Sequence, residues 1–211
     1  MKTKLLLAAG FLSAQLMLSC SKQSSTPAQN PILSNEPQHK VLNLDPQTQL
    51  DNIRKDLERD PQSAFLHNQA AIAYDSLDDF KNFEREIQTA MRLDPGNSID
   101  QYVAYAVYKR RGLREKQTSA LDAALEIDPA NPFGHYERAS MLEDKKEWQA
   151  ALKEYQTTQE LLQQLKSDPN NFQNNRWMYV DKRGNPFDVT FQEAHIADNI
   201  ARAHAAIQDR K

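Results

Sequence analysis

The chain has 211 residues and a formal net charge of -3, from 26 Lys and Arg against 29 Asp and Glu. This length allows one domain or at most two, and the lack of a basic excess argues against nucleic acid as a partner. Hydrophobic residues make up 39% and charged residues 26% of the chain, and only 5 are glycine, which favours an α-rich globular protein.

Residues 1–19 have the features of a secretory signal peptide, because two lysines precede an apolar run from Leu5 to Leu18. The run is too short to span a bilayer, where ~20 apolar residues are needed. Cys20, the only cysteine, follows directly. Residues 17–20 resemble a bacterial lipobox, in which cleavage precedes a cysteine whose thiol then carries a diacylglycerol. The alternative is a plain secretory peptide with an incidental cysteine.

Residues 20–46 are predicted to be a lipidated flexible tether, since they are rich in Ser, Pro, Gln and Asn and have no helical or alternating period. An Asp directly after the lipidated cysteine commonly retains a Gram-negative lipoprotein in the inner membrane. Ser21 occupies that place here. We therefore expect anchoring by lipid in the outer membrane, with the folded part facing the periplasm.

Residues 47–60 are predicted to form an N-terminal capping helix. Leu50, Ile53 and Leu57 form an apolar stripe, and the segment ends at an Asp-Pro step. A stack of repeats needs such a cap, because each unit leaves an apolar face open to the next.

A repeat with a fixed period dominates residues 61–168. Asp-Pro steps end at Pro61, Pro95 and Pro129, and the interval between successive prolines is the same. A fixed period of this size indicates a stack of repeated units. Each unit contains two stretches with apolar residues at helical spacing. The register drifts in the third unit, where the next proline is Pro169, so the second helix of that unit is expected to be longer.

These units resemble the tetratricopeptide repeat (TPR), which has a small residue at the eighth place, Tyr at the eleventh, Gly in the turn, an aromatic soon after, and Ala and Pro near the end. The matching residues are Ala71, Tyr74, Phe80, Ala90 and Pro95 in the first unit, Tyr108, Gly112, Ala124 and Pro129 in the second, and Ala139, Trp148 and Ala151 in the third. The usual aromatic at the fourth place is replaced by His67, Gln101 and His135.

The resemblance implies an all-α superhelical stack of about three helix pairs, whose first helices line a concave groove. Family positions that face the groove correspond here to Phe65, Asn68, Ile72, Tyr102, Ala106, Lys109, Tyr136 and Ser140. We expect an envelope protein or peptide to bind there, because aromatic side chains bury much area at low entropic cost. The alternative is a small molecule, lipid or glycan bound on Tyr102, Tyr136 and Phe65.

A basic cluster lies around the turn of the second unit, where Lys109, Arg110, Arg111, Arg114 and Lys116 follow one another closely. Such a run is usually a solvated face. The other interpretation is contact with anionic lipid headgroups or an acidic partner.

Residues 169–211 are predicted to form a small β-hairpin, with strands near 176–180 and 187–190, and a terminal helix over 191–208 that caps the stack. Thr190 and Glu193 have the spacing of a capping box. The expected buried face of the helix carries Ala197, Ile200, Ala201, His204 and Ile207. The hairpin is interpreted either as a packed connector or as an edge that meets a partner.

No catalytic motif stands out, so the protein is expected not to be an enzyme and to need no cofactor or metal. The five histidines form no metal-binding pair, and there is neither a nucleophile elbow nor a phosphate-binding glycine loop. The enzyme alternative places a site at the hairpin, around Asp181 and Asp188. The sequence favours a lipid-anchored TPR protein of the bacterial envelope that acts as an interaction scaffold or assembly factor.

Overall fold

The computed structural model describes residues 45–174 and 176–209, so the signal peptide, Cys20 and the tether lie outside the described residues. The described part contains eight α-helices and a small antiparallel sheet. The helices are α1 (Pro46–Arg59), α2 (Ala64–Ser76), α3 (Phe80–Leu93), α4 (Ser98–Arg110), α5 (Arg114–Ile127), α6 (Pro132–Asp144), α7 (Trp148–Lys166) and α8 (Thr190–Gln208). None of these helices combines the length and the apolarity of a membrane span.

The boundaries of the units follow from local chemistry. The first helix of each unit begins after Ser63, Asn97 or Asn131, whose side chains accept a hydrogen bond from a backbone N–H of the first turn. α1, α3 and α5 end before an Asp-Pro step, where the proline ring prevents a further helical turn. α7 runs for 19 residues against 14 in α3 and α5, as the displaced proline predicts.

Successive helix pairs pack in the same way, which confirms the all-α TPR-like fold. The two helices of a unit pack closely on each other, and the first helices of neighbouring units also touch. The core is continuous along the stack and includes Phe83, Ile87, Tyr105, Leu121 and Tyr155, all at most 2% exposed. Burial of these apolar side chains stabilises each unit against the next.

Three hydrogen bonds between units span the same sequence separation. Asn68 donates to Asp100 from α2 to α4, and Tyr105 donates to Glu137 from α4 to α6, in both cases across 32 residues. Lys116 of α5 donates to Glu84 of α3 across the same interval. The bonds of Asn68 and Tyr105 join successive first helices at the same offset, which indicates that the units are related by nearly the same displacement.

The fifth place of each first helix meets a different neighbour in each unit. Asn68 bonds to Asp100, whereas Tyr102 lies over Gly134, where a Cβ would overlap the tyrosine hydroxyl. Tyr136 has no further unit beside it, and its hydroxyl accepts a hydrogen bond of 2.8 Å from Asn199 of α8. The helix α8 thereby closes the end of the stack.

The turn inside each unit has the same backbone conformation. Asp78, Gly112 and Lys146 follow one another at the interval of the Asp-Pro steps, and they have φ values of 58°, 70° and 59°. This left-handed region is free of strain only for glycine. The periodicity is therefore carried by the backbone even where the residue type changes.

The C-terminal sheet has three strands, one more than the predicted hairpin. β1 (Phe172–Gln173) pairs with β2 (Arg176–Val180), and β2 pairs with β3 (Pro186–Asp188), both antiparallel. The extra strand is only two residues long, and such a segment has no detectable alternation in the sequence.

Two expectations about α8 are wrong. No capping box forms, because Thr190 is the first helical residue and its hydroxyl accepts from the Trp177 amide, while Glu193 pairs with Lys166. The buried face is also rotated: it carries Gln192, Ile196, Asn199 and Ala203, whereas Ala197, Ala201 and His204 are exposed. Apolar periodicity misses this face because the buried Asn199 is satisfied by the Tyr136 hydroxyl.

Candidate binding face

The first helices α2, α4 and α6 form one face of the stack, called here the first-helix face. Of the residues predicted to line a groove, Phe65 is the most open, with 65% of its surface exposed at the start of α2. Ala106 on α4 is also exposed, while Ile72 on α2 and Ser140 on α6 are half-buried. The exposed residues of this set are therefore Phe65 on the first unit and Ala106 and Lys109 on the second, and Phe65 is the most exposed apolar side chain among them.

Two other predicted groove residues are engaged in contacts between units. Asn68 is buried and donates a hydrogen bond of 2.5 Å to Asp100. Lys109 Nζ lies 2.5 Å from Glu137 Oε2. Burial raises the pKa of Asp100 to about 6, and the bond from Asn68 opposes that rise. These side chains hold α2, α4 and α6 together.

Tyr102 and Tyr136, expected to form an open aromatic row, are buried, with 6% and 8% of their surface exposed. The Tyr102 ring packs edge-on against Phe187 of β3 at a centroid distance of 5.2 Å, and against Phe133 at 5.4 Å. The Tyr136 ring packs against Phe191 of α8 at 5.9 Å. Burial raises the pKa of both tyrosines. A platform that needs Tyr102, Tyr136 and Phe65 together is not present, since only Phe65 is open.

The C-terminal sheet lies across this part of the face and reaches two turns between units. Arg183 in the β2–β3 turn makes two hydrogen bonds of 2.7 Å to the carboxylate of Asp94. These bonds hold the pKa of Asp94 below its ordinary value. The Tyr179 hydroxyl donates a bond of 2.8 Å to Asp128. We call residues 172–189 the hairpin segment. Its three contact residues, Asp94, Tyr102 and Asp128, together with Phe133, which packs on Tyr102, are called the dock.

The basic cluster of the second unit is largely paired within the chain. Arg110 pairs with Asp75, and Arg111 lies 2.7 Å from Asp78. Lys109 and Lys116 pair with Glu137 and Glu84. The cluster therefore fastens the second unit to its neighbours, and sequence spacing did not reveal the acidic partners because they lie 28 to 35 residues away.

Two histidines at the fourth place make the same contacts in different units. His67 Nδ1 lies 2.7 Å from Glu86, and His135 Nδ1 lies 2.7 Å from Glu154. Each ring also reaches the carbonyl of the preceding Asp-Pro proline, at 3.2 Å and 3.0 Å. Histidine thus replaces the usual aromatic with a polar bridge between the two helices of a unit. The sequence separation between His and Glu is the same in both units, a usable signal that sequence reasoning missed.

The two carboxylates of the enzyme alternative serve local structure. Asp181 accepts backbone bonds of 2.9 Å and 2.8 Å from Arg183 and Asn185, which closes the β2–β3 turn. Asp188 accepts from the Thr190 amide and pairs with Arg176. The two groups share no bonding partner, and each is held by residues of its own turn or strand. Across residues 45–174 and 176–209, no group of three or more His, Cys, Asp or Glu could hold a metal ion.

Comparison with known proteins gives structural likeness only. Neither a protein-family model nor a curated protein sequence matches the chain. Among solved structures, MamA 41-end from Desulfovibrio magneticus RS-1 is 14% identical with a TM-score of 0.49, over 78% of this chain and 82% of that one. A structure titled MamA RS-1 ArsTM double mutant is 13% identical with a TM-score of 0.49, over 79% and 87%. A further MamA crystal structure is 11% identical with a TM-score of 0.48, over 76% and 85%.

Proposed function

We propose that this protein is a non-catalytic scaffold or assembly factor that binds a segment of another protein on its first-helix face. The observation that carries the proposal is Phe65, a phenylalanine that is 65% exposed at the open end of that face. Half-buried Ile72 and exposed Ala106 extend the apolar area along α2 and α4. Exposed aromatic anchors beside small and aliphatic residues are typical of protein-binding sites.

The paired carboxylates support a binding function over a catalytic one. Asp181 and Asp188 are held by backbone amides and Arg176. Glu143 accepts hydrogen bonds from Tyr155 and Arg202. Burial raises the pKa of this carboxylate, but these bonds outweigh burial and hold the pKa below its ordinary value. These acids are anchored as structural groups, whereas a general acid or base has to reach a substrate proton.

Photo-crosslinking in the native cell envelope tests the binding face. A photoreactive phenylalanine analogue in place of Phe65 should capture a discrete partner that is identified by mass spectrometry. The matched control carries the same analogue at Gln88, which is exposed on α3, a second helix outside the first-helix face. Products at position 65 that are absent at 88 support the proposal, and identical products at both positions contradict it. Phe65→Ala should also reduce recovery of the captured partner.

We further propose that the protein is held on the outer membrane, facing the periplasm, by lipid on Cys20. The support is the sequence alone, in which a short apolar run ends at the only cysteine and Ser21 follows it. Cys20→Ala should move the protein from the membrane fraction to the soluble fraction, whereas Ser19→Ala should leave it in the membrane. Ser21→Asp should shift the protein to inner-membrane fractions. Unchanged membrane association of Cys20→Ala would refute lipid anchoring.

A further inference from the structure

The hairpin segment takes up the part of the first-helix face that α4 and α6 would otherwise present to a partner. Three side-chain contacts anchor it to the dock: the ring of Phe187 on Tyr102, the hydroxyl of Tyr179 on Asp128, and the guanidinium of Arg183 on Asp94. The chain connects the hairpin segment to a helix at each end, since β1 follows α7 and β3 leads into α8. The segment is therefore held next to the dock by the chain itself.

We propose that the dock is a binding site for an extended protein segment that carries an arginine and an aromatic residue, and that the chain's own hairpin segment occupies it until such a segment replaces it. The arginine would pair with Asp94, and the aromatic ring would pack on Tyr102 and Phe133. This inference rests on the proposed function as a protein-binding scaffold. It extends the binding face from the open first unit to the covered second and third units.

The chemistry of the dock selects this kind of partner. Asp94 and Asp128 place two carboxylates at successive turns between units. The Tyr102 and Phe133 rings pack edge-on against each other between α4 and α6. A guanidinium matches the Asp94 carboxylate with two parallel hydrogen bonds, as Arg183 does. A ring packed on Tyr102 gains edge-on aromatic contact, as Phe187 does. An acidic or wholly aliphatic segment would lose both matches.

The hairpin segment fills the dock incompletely. Among the described residues, the buried hydroxyl of Tyr102, one carboxylate oxygen of Asp128 and the side-chain amide nitrogen of the neighbouring Asn131 have no hydrogen-bonding partner. Buried polar atoms without partners destabilise the arrangement that buries them. The Arg183–Asp94 pair is also partly open, with 47% and 31% of the side chains exposed, so water weakens it. A partner segment that forms hydrogen bonds with these atoms can therefore compete with the hairpin segment for the dock.

A labelled peptide with the sequence of residues 172–189 serves as the probe, and fluorescence anisotropy measures its binding to the full chain. Cys20→Ser combined with Gly96→Cys and Arg183→Cys gives one protein in two states, because a Cβ at Gly96 would lie 3.6 Å from Arg183 Nη1. Asp94 is kept and stays available to the arginine of the peptide. Without a linker the ion pair is absent and the hairpin segment is loosened. A reducible bismaleimide linker between the two thiols holds it closed, and reduction opens it again.

We expect the unlinked protein to bind the peptide at least about ten-fold more tightly than the linked protein, because the competing occupant lowers the fraction of free dock. Reduction should restore binding. A peptide with Arg183→Ala and Phe187→Ala should bind neither state. The matched control carries Arg183→Ala and is linked between Glu84→Cys and Lys116→Cys, a pair that joins α3 and α5 away from the dock. It should bind as the open state does.

Equal binding to the linked and unlinked proteins would overturn the inference, as would no binding to a well-folded unlinked protein. A concentration-dependent dimer of the unlinked protein without added peptide would show that a second copy, not another protein, supplies the occupant. If the double cysteine variant fails to fold, hydrogen exchange of the unmodified chain decides: amides of β2 should exchange faster than those of α4, and equal protection refutes the inference. None of these outcomes depends on the crosslinking at Phe65, so the two proposals fail separately.

Discussion

Gly134 shows how a single missing side chain sets the distance between two units. A Cβ at this position would lie 2.7 Å from Leu125 Cδ2 and would overlap the Tyr102 hydroxyl. Glycine inside a helix costs roughly 0.5–1 kcal/mol relative to alanine. The helix α6 accepts this cost because the space is filled by the buried Tyr102 ring.

Gly134→Ala should lower the free energy of unfolding by about 1–3 kcal/mol, since the new methyl group overpacks the contact between α4 and α6. Urea denaturation followed by circular dichroism measures the change. Gly96→Ala is the control, because its Cβ would meet Arg183 Nη1 at an ordinary 3.6 Å; we expect a change within about 0.5 kcal/mol. Equal losses in both variants would contradict the close approach at Gly134.

The His135–Glu154 pair makes stability depend on pH. Burial lowers the pKa of His135, but its bonds to Glu154 and to the Pro129 carbonyl outweigh burial and hold the pKa above 6.5. Its contribution is therefore present below about pH 6.5 and is lost as pH rises through the raised pKa. The bond from His135 lowers the pKa of Glu154, whose contribution is lost as pH falls below its ordinary value. The pair stabilises most in the acidic window between these limits.

His135→Gln should therefore destabilise the protein more at about pH 5.5 than at about pH 8.5, because only the lower pH has the charged pair. Urea midpoints of wild type and variant at both pH values give the difference. His204→Gln at an exposed position of α8 should show no such dependence. A loss for His135→Gln that is the same at both pH values would assign the residue a packing role only.

At the scale of an element, the turn between the two helices of a unit is defined by backbone conformation more than by sequence. Gly112, Asp78 and Lys146 occupy equivalent positions with positive φ, but only the glycine is detectable as a turn residue. The ion pair between Asp78 and Arg111 offsets part of the strain that the positive φ causes at Asp78. Lys146 is exposed, and glycine suits its backbone conformation better.

Lys146→Gly should raise the free energy of unfolding by about 1 kcal/mol, because glycine adopts φ near +59° without the contact between Cβ and the carbonyl. Thermal denaturation measures it. Lys145→Gly is the matched control, because Lys145 has an ordinary φ of -83° and its replacement should bring no gain. Stabilisation by both changes would point to charge removal instead.

The sequence predicted most of the helices, but it did not predict that the C-terminal segment packs over Tyr102 and Tyr136. The Asp-Pro steps and the apolar spacing of α3 and α5 are local signals, so the stack could be read from them. The burial of Tyr102 depends on Phe187, far along the chain, and that of Tyr136 on Phe191 and Asn199. Such contacts arise only when the C-terminal segment folds back, and no local period records them.

At the scale of the molecule, each unit packs mainly on its sequence neighbours. The helix α1 packs on α2 alone among the larger contacts, whereas α4 packs on helices of its own and the preceding unit, and α8 packs on both α6 and α7. In a stack of this kind, stability is nearly a sum of unit terms and neighbour terms. The end with fewer neighbours should therefore open first.

Leu50→Ala should test this gradient, because Leu50 is 1% exposed in α1 and loses its packing. Hydrogen exchange should speed up in α1 and α2 and stay unchanged in α7 and α8. Leu77→Ala, at a position that is 38% exposed, should leave the pattern as in wild type. Faster exchange along the whole chain after Leu50→Ala would mean that the stack unfolds as one cooperative body.

The changing partner at the fifth place of each first helix has a consequence for how this stack can evolve. Asn68 fits Asp100 through a hydrogen bond, and Tyr102 fits only because Gly134 leaves room. If the second unit were duplicated, the Tyr102 of one copy would meet the Asp100 of the next copy. If the third unit were duplicated, Tyr136 would meet Gly134, which leaves room for a tyrosine. The third unit can therefore follow a copy of itself, whereas the second unit cannot. Any lengthening of this array by gene duplication is steered towards its C-terminal side.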